Sequence, residues 1–109
     1  METIKIFYKT CPEPDFQRFE VEGGIILDVR HPSEYLAGHI AGAINIPLED
    51  LVTNLAMIPN KNQPLIICSA TGMKSATATV LLESLGYLHV SNGGSWSNLL
   101  EKIYLYAPI

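Results

Sequence analysis

Cysteine is scarce in this sequence, and no metal-ligand pattern accompanies it. Two cysteines, Cys11 and Cys68, are present in 109 residues. That number is too small for a disulfide scaffold or for a structural zinc site built on cysteine. The three histidines are not spaced as metal ligands. The scarcity of cysteine directs attention to what surrounds each thiol. Cys11 lies in a proline-rich turn without a nearby cation, so we interpret it as an idle thiol.

Strongly basic stretches and long apolar runs are also missing. Seven Lys and Arg against 11 Asp and Glu give a formal charge of −4, which argues against nucleic acid as a partner. No apolar run approaches the length of a transmembrane helix, so no membrane partner is expected. The first residues lack a signal-peptide pattern, and with Met1 as the native start we predict a cytoplasmic protein; a removed leader would change this.

Short apolar runs alternate with helical patterns along the chain. Predicted strands cover residues 2–8, 25–29, 42–47, 65–68 and 88–91, and predicted helices cover 15–19, 33–37, 48–57, 75–85 and 95–106. The sequence Asn92-Gly93-Gly94 is typical of a turn. This alternation predicts an α/β fold with a mostly parallel sheet and helices on both faces. At this length, residues 1–109 are expected to form a single domain and a monomer.

The stretch from Leu65 to Ser75 carries the strongest functional signal. Three apolar residues lead to Cys68 and then to a small-residue loop that ends at Lys74. Ser75 is the predicted N-cap of the following helix, and Gly86 its predicted end. A cysteine at a strand tip that faces a helix N-terminus is in a setting that stabilises a thiolate. We therefore predict that Cys68 is a reactive nucleophile.

Residues 28–47 resemble the signature of rhodanese-like domains, D-V-R-x-x-x-E-[FY]-x-x-G-H-I-x-G-A-x-N-I-P. The resemblance continues through Cys68, the Leu-Gly-Tyr sequence at 85–87, Val90 and Gly93-Gly94. It implies the rhodanese-like fold, with a central, mostly parallel five-stranded sheet and helices on both faces. It also implies a single-domain sulfurtransferase of the thiosulfate sulfurtransferase type, in which Cys68 carries a sulfane sulfur as a persulfide.

The implied chemistry has two covalent steps and no cofactor. The Cys68 thiolate takes sulfur from an anionic donor such as thiosulfate or from a persulfide, and a thiol, cyanide or protein acceptor then removes it. The predicted binding residues are those of the loop: Ser69, Ala70, Thr71, Gly72, Met73, Lys74 and Ser75. Their N–H groups would stabilise the anion. Asp28 and Arg30 are predicted to support the site from behind by fixing the adjacent turn.

The loop departs from the family pattern C-x-x-G-x-R, and this leaves two alternatives open. Counted from Cys68, the pattern is C-x-x-x-G-x-K, with one residue inserted and Lys74 in place of Arg. The cation then follows the cysteine by six positions, as in phosphatases and arsenate reductases of the same fold. Lys cannot grip an oxyanion with the two parallel bonds of Arg, which argues against that enzyme class. The second alternative is a low-activity binding or regulatory module.

Overall fold

The computed structural model describes residues 16–106, whose strands form one parallel sheet. The strands are β1 (Ile25–Asp28), β2 (Ile44–Asn45), β3 (Leu65–Ser69) and β4 (Val90–Ser95). Their order across the sheet is β2-β1-β3-β4, and every neighbouring pair is parallel. The predicted α/β class is confirmed.

Helices lie on both faces of the sheet. They are α1 (Phe16–Val21), α2 (Pro32–Ala37), α3 (Met73–Ser84) and α4 (Trp96–Tyr106). The part of the chain that the structure describes has four strands, where the family resemblance implied five. The strand predicted at residues 2–8, the turn that holds Cys11, and Asp15 at the start of the first predicted helix lie outside the described residues.

Strand β3 is buried along its whole length and separates two apolar clusters. Leu65 and Ile67 belong to one cluster, together with Leu82 of α3. Ile66 and Cys68 belong to the other, together with Leu99 of α4. Full burial of a Leu or Ile side chain contributes roughly 1.5–3 kcal/mol, so both faces of β3 hold the strand in place. The absence of alternation in its sequence is explained by this two-sided burial.

The helix predicted over residues 48–57 is wrong in type. The structure has two 3₁₀ helices there, Leu48–Asp50 and Val52–Met57, with non-helical backbone angles at Asn54. The side chains of Thr53 and Asn54 donate hydrogen bonds to the carbonyl oxygen of Asp50, at 3.1 and 2.8 Å. Side chains that occupy a backbone carbonyl in this way compete with α-helical hydrogen bonding.

Helix α3 begins two residues earlier than expected and ends where predicted. Gly72, with φ of 95°, is its N-cap, so the prediction of Ser75 as N-cap is wrong. At the other end Gly86 has φ of 95°, and its N–H reaches the carbonyl of Glu83 at 3.1 Å. The Tyr87 N–H reaches the carbonyl of Leu82 at 3.1 Å. These two bonds form a Schellman motif, which confirms Gly86 as the end signal.

The turn predicted at residues 92–94 is wrong, because these residues continue strand β4. Ile67 pairs with Asn92 and Cys68 pairs with Gly94, so the register skips Gly93. A Cβ atom on Gly93 would lie 2.8 Å from Ile66 Cγ2 and 2.9 Å from Leu99 Cδ2. The glycine therefore serves close packing between β3 and α4 in a bulged strand.

We expect the Gly93→Ala substitution to destabilise the protein by about 1–3 kcal/mol, the usual cost of overpacking a core. Urea unfolding followed by circular dichroism measures this difference. Gly94→Ala is the matched control, since Gly94 has φ of 79° and no atom within 4 Å of a new Cβ. That control carries only the backbone strain of a left-handed conformation, on the order of 1 kcal/mol. An equal or smaller loss for Gly93→Ala would contradict the packing account.

Candidate functional site

A cavity of about 160 Å³ lies at the carboxyl ends of β1 and β3. In parallel sheets this is the edge where ligands bind. The residues that line the cavity are Arg30, Glu34, Ser69, Ala70, Thr71 and Lys74. Four of the seven predicted binding residues are thus brought together. Gly72, Met73 and Ser75 do not line the cavity, and Met73 points away from it into solvent at 77% exposure.

The hydroxyl of Ser69 is the point on which the loop converges. Its oxygen accepts hydrogen bonds from the backbone N–H groups of Gly72, at 2.9 Å, and Ser75, at 3.2 Å. The same hydroxyl donates to Ser75 Oγ at 3.1 Å. Ser69 is the last residue of β3, and its side chain is 1% exposed. The loop therefore wraps around the Ser69 oxygen atom.

Ser75 connects this arrangement to β4. It is fully buried, and its hydroxyl lies 2.7 Å from Asn92 Oδ1 and 3.0 Å from the Gly72 carbonyl oxygen. Asn92 Oδ1 also accepts the N–H of Gly94 at 2.9 Å. A Cβ on Gly72 would lie 3.3 Å from the Cα of Gly94, so the loop and β4 pack closely. Ser75 thus fixes the loop and does not face a ligand.

Cys68 is in the core and not in the cavity. Its side chain is 0% exposed and packs in the cluster that contains Ile66 and Leu99. Burial, with a smaller contribution from the negative charge of Asp28, raises the pKa of Cys68 to about 12, while Arg30 acts in the opposite direction. The sequence predicts a stabilised thiolate at Cys68, from its position at a strand tip that faces a helix N-terminus. That prediction is wrong because the side chain faces the apolar layer beneath α4 and is shielded from water.

The loop therefore starts at Ser69 and is one residue shorter than expected. Counted from Ser69, the pattern is S-x-x-G-x-K, with the same length as the family pattern C-x-x-G-x-R. The structure thus needs no insertion. The six-position spacing from Cys68 to Lys74 was the basis of the phosphatase-like alternative, and it does not describe the loop around the cavity.

Arg30 forms the wall of the cavity and is held by a buried ion pair. Its guanidinium donates to both carboxylate oxygens of Asp28, with the shortest distance 2.8 Å, and to the Gly38 carbonyl at 2.7 Å. The Cζ atom of Arg30 lies 4.5 Å from the centroid of the Trp96 ring. The hydrogen bond to Asp28 raises the pKa of Arg30. The Asp28 carboxylate thus accepts hydrogen bonds from Nε and Nη2 of Arg30, and the support role of the pair stays a prediction.

Glu34 is a cavity residue that sequence reasoning did not select. It lies in the first turn of α2, where its carboxylate accepts the His31 N–H at 3.2 Å and the His31 side chain accepts the Ser33 N–H. This reciprocal cap fixes the first turn of the helix. A capping box pattern after Arg30 was the signal that could have placed Glu34 near the site.

Several loop donors have no acceptor within residues 16–106. No hydrogen bond from the backbone N–H groups of Ala70, Thr71, Met73 or Lys74 to another group is present there. The ammonium group of Lys74 likewise forms no ion pair in this part of the chain. Unpaired N–H groups at the first turn of a helix, next to a cation, favour an anion.

His39, the histidine of the rhodanese-like signature, makes structural contacts. His39 Nδ1 lies 2.7 Å from the Tyr35 carbonyl oxygen, and the rings of His39 and Tyr35 stack with their centroids 3.8 Å apart.

Within the described range no group of three or more His, Cys, Asp or Glu side chains is arranged to hold a metal ion. Between residues 16 and 106 no helix is both long and apolar enough to cross a membrane.

Known proteins resemble this chain in sequence and in structure. The family model "Rhodanese-like domain" matches residues 15–100. Thiosulfate sulfurtransferase PspE of Escherichia coli is 36% identical over 74 residues, 67% of this chain and 71% of that protein. Human thiosulfate:glutathione sulfurtransferase is 33% identical over 91 residues, 71% of this chain and 79% of that protein. A solved structure described as rhodanese with anions, from E. coli, has a TM-score of 0.63 at 33% identity and covers 69% of this chain and 89% of its own.

Proposed function

We propose that this chain, which belongs to the rhodanese-like domain family, binds a small anionic sulfur compound such as thiosulfate at the loop of residues 69–75. One observation carries the proposal. The loop surrounds the end of β3 with backbone N–H groups that lack acceptors in the described residues, beside the cation of Lys74. Such a concave set of N–H groups is a general anion-binding arrangement.

The size and charge of the cavity set the ligand class. About 160 Å³ suits a small inorganic anion and leaves little room for a large organic one. Arg30 is neutralised by Asp28, and the exposed Glu34 offsets Lys74. Recognition would therefore rest on N–H hydrogen bonds more than on net positive charge. The family relation and the related E. coli structure described as containing anions support this ligand class.

Sulfur transfer through a Cys68 persulfide is the second candidate function. The names of two relatives favour it. PspE is called a thiosulfate sulfurtransferase, and the human relative is called a thiosulfate:glutathione sulfurtransferase. In this mechanism a thiosulfate-like or persulfide donor gives sulfur to Cys68, and a thiol, protein or cyanide accepts it. It requires the buried Cys68 side chain to become exposed and deprotonated, against its raised pKa.

One experiment separates these functions. Purified protein is mixed with thiosulfate, and its mass is measured before and after cyanide is added, alongside Cys68→Ser. Binding alone predicts shifted amide NMR signals for residues 70–75 with no gain in mass. A gain of one sulfur atom, removed by cyanide as thiocyanate and absent from Cys68→Ser, would instead establish transfer through Cys68.

A monomeric state and a cytoplasmic location stay predictions.

The Lys74→Gln substitution should weaken thiosulfate binding by up to about fivefold. An exposed charge pair contributes up to about 1 kcal/mol, and this loss should shrink as salt is added. Calorimetric titration at low and high ionic strength measures both effects. Lys102→Gln on α4 removes the same charge from a residue that does not line the cavity, and its affinity should be close to that of the parent. Equal losses in the two variants would mean that Lys74 acts only through overall charge.

A further inference from the structure

We propose that Ser69, and not Cys68, stands at the position from which a thiol would react with a bound donor, so that this chain binds the donor and leaves its sulfur–sulfur bond intact. This inference rests on the proposed anion-binding function and assigns the chemical limit of the same site. Its basis is the placement of two consecutive residues at the end of β3.

The first argument is the position of the side chains. Ser69 lines the cavity together with Ala70, Thr71 and Lys74. Cys68 is absent from the cavity lining and lies in the apolar cluster beneath α4. Successive residues of a strand point to opposite sides, so the loop cannot present both side chains to one ligand. Of the two, Ser69 is the one that a bound anion would meet.

The second argument is the hydrogen bonding at Ser69. Two backbone N–H groups, of Gly72 and Ser75, donate to its side-chain oxygen. N–H groups aimed at one side-chain atom would stabilise a thiolate or a persulfide anion there. A hydroxyl uses the same bonds only to hold the loop together. The environment therefore fits a reacting sulfur better than it fits the atom that is present.

The third argument is the absence of a base for the hydroxyl. A serine nucleophile needs an adjacent group to take its proton. The Ser69 hydroxyl donates to Ser75 Oγ, and among residues 16–106 no carboxylate or imidazole forms a hydrogen bond with it. Without a base, Ser69 cannot replace a thiolate in attacking a donor. The loop length of S-x-x-G-x-K, equal to the family pattern, agrees with a substitution of the reacting residue at position 69.

The substitution Ser69→Cys should therefore install sulfur transfer. Its thiolate attacks the outer sulfur of thiosulfate and forms a new S–S bond. The original S–S bond breaks, and sulfite leaves with the electron pair. Cyanide then attacks the outer sulfur of the persulfide, forms thiocyanate, and returns the thiolate. Both steps balance without an added oxidant or reductant.

The test uses three proteins in a Cys11→Ser background, so that each remaining thiol is known. They are the parent, Ser69→Cys, and Ser69→Cys combined with Cys68→Ala. We expect both Ser69→Cys proteins to gain one sulfur atom from thiosulfate, and thiocyanate release to rise by about tenfold or more over the parent. The parent should gain none. Sulfur gained by the parent, whose remaining thiol is Cys68, would overturn the inference, and so would Ser69→Cys proteins that bind thiosulfate yet gain no sulfur.

Amide NMR shifts in the same samples keep this test separate from the proposed function. A parent that shows no thiosulfate-dependent shifts would sink the anion-binding proposal, whatever the mass measurements show. If Ser69→Cys fails to fold by circular dichroism, the parent still decides the question. Thiosulfate bound to the parent should be recovered intact, with sulfite and persulfide both absent, and their appearance would refute the assignment.

Discussion

In the folded protein, Cys68 should react with iodoacetamide at least about 100-fold more slowly than in the urea-unfolded chain at the same pH. Its pKa is raised from the 9.0 of a free thiol to about 12, which lowers the thiolate fraction near neutral pH about a thousandfold. A more basic thiolate is a better nucleophile, and this recovers about a factor of 10 to 30. Complete burial then removes access to the reagent.

The measurement is alkylation followed by intact mass, in a Cys11→Ser background that leaves Cys68 as the remaining thiol. The Ser69→Cys variant in the same background is the matched comparison, since its new thiol lines the cavity. One label gained by Ser69→Cys faster than the parent gains any would agree with the structure. Fast alkylation of Cys68 in the folded parent would reopen sulfur transfer through this residue.

The same raised pKa makes stability depend on pH in a defined direction. The folded state holds the Cys68 proton more tightly than the unfolded chain does. The contribution of the protonated thiol is therefore complete below about pH 9 and is lost as the pH rises toward about 12. The loss amounts to about 4 kcal/mol across that interval. Unfolding free energies of the parent should decline more steeply above pH 9 than those of Cys68→Ala, and parallel declines would contradict the burial account.

Much of the fold could be predicted from the sequence because many of its elements are marked by local sequence patterns. The two-sided burial of β3 appears as an uninterrupted apolar run, and the end of α3 appears as Gly86. Strand β4 was misread because Asn92-Gly93-Gly94 has turn composition. Gly93 instead allows close packing against Ile66 and Leu99, which is a tertiary demand that no local pattern reveals.

The candidate site shows the same division. The loop and its cation were predictable from a strand, small residues and Lys74 in succession. Which of Cys68 and Ser69 faces the cavity depends on where the strand ends, and element boundaries are the least certain part of such predictions. A shift of one residue along a strand exchanges the core and ligand sides. The chemistry of the thiol favoured Cys68 as the candidate, although Ser69 is the residue that lines the cavity.

The ion pair behind the cavity wall leads to the second large effect. We expect Arg30→Met to destabilise the protein by about 3–5 kcal/mol, because it leaves the carboxylate of Asp28 charged and unpaired in the interior. Asp28 is 0% exposed, and its two carboxylate oxygens accept hydrogen bonds from the guanidinium at 2.8 and 3.0 Å. The substitution also removes donors from the carbonyls of Glu34 and Gly38. Urea unfolding followed by circular dichroism measures the loss.

Two controls isolate the buried charge as the cause. Glu22→Ala breaks the exposed ion pair with Arg18, whose N–O distance is 3.0 Å. It should lower the free energy of unfolding by at most about 1 kcal/mol. The double substitution Arg30→Met with Asp28→Asn removes both charges, and it should recover part of the stability lost in Arg30→Met. If the double variant is as unstable as the sum of its parts, the loss comes from packing against Trp96 and not from the unpaired carboxylate. The ion pair would then matter for the shape of the cavity wall alone.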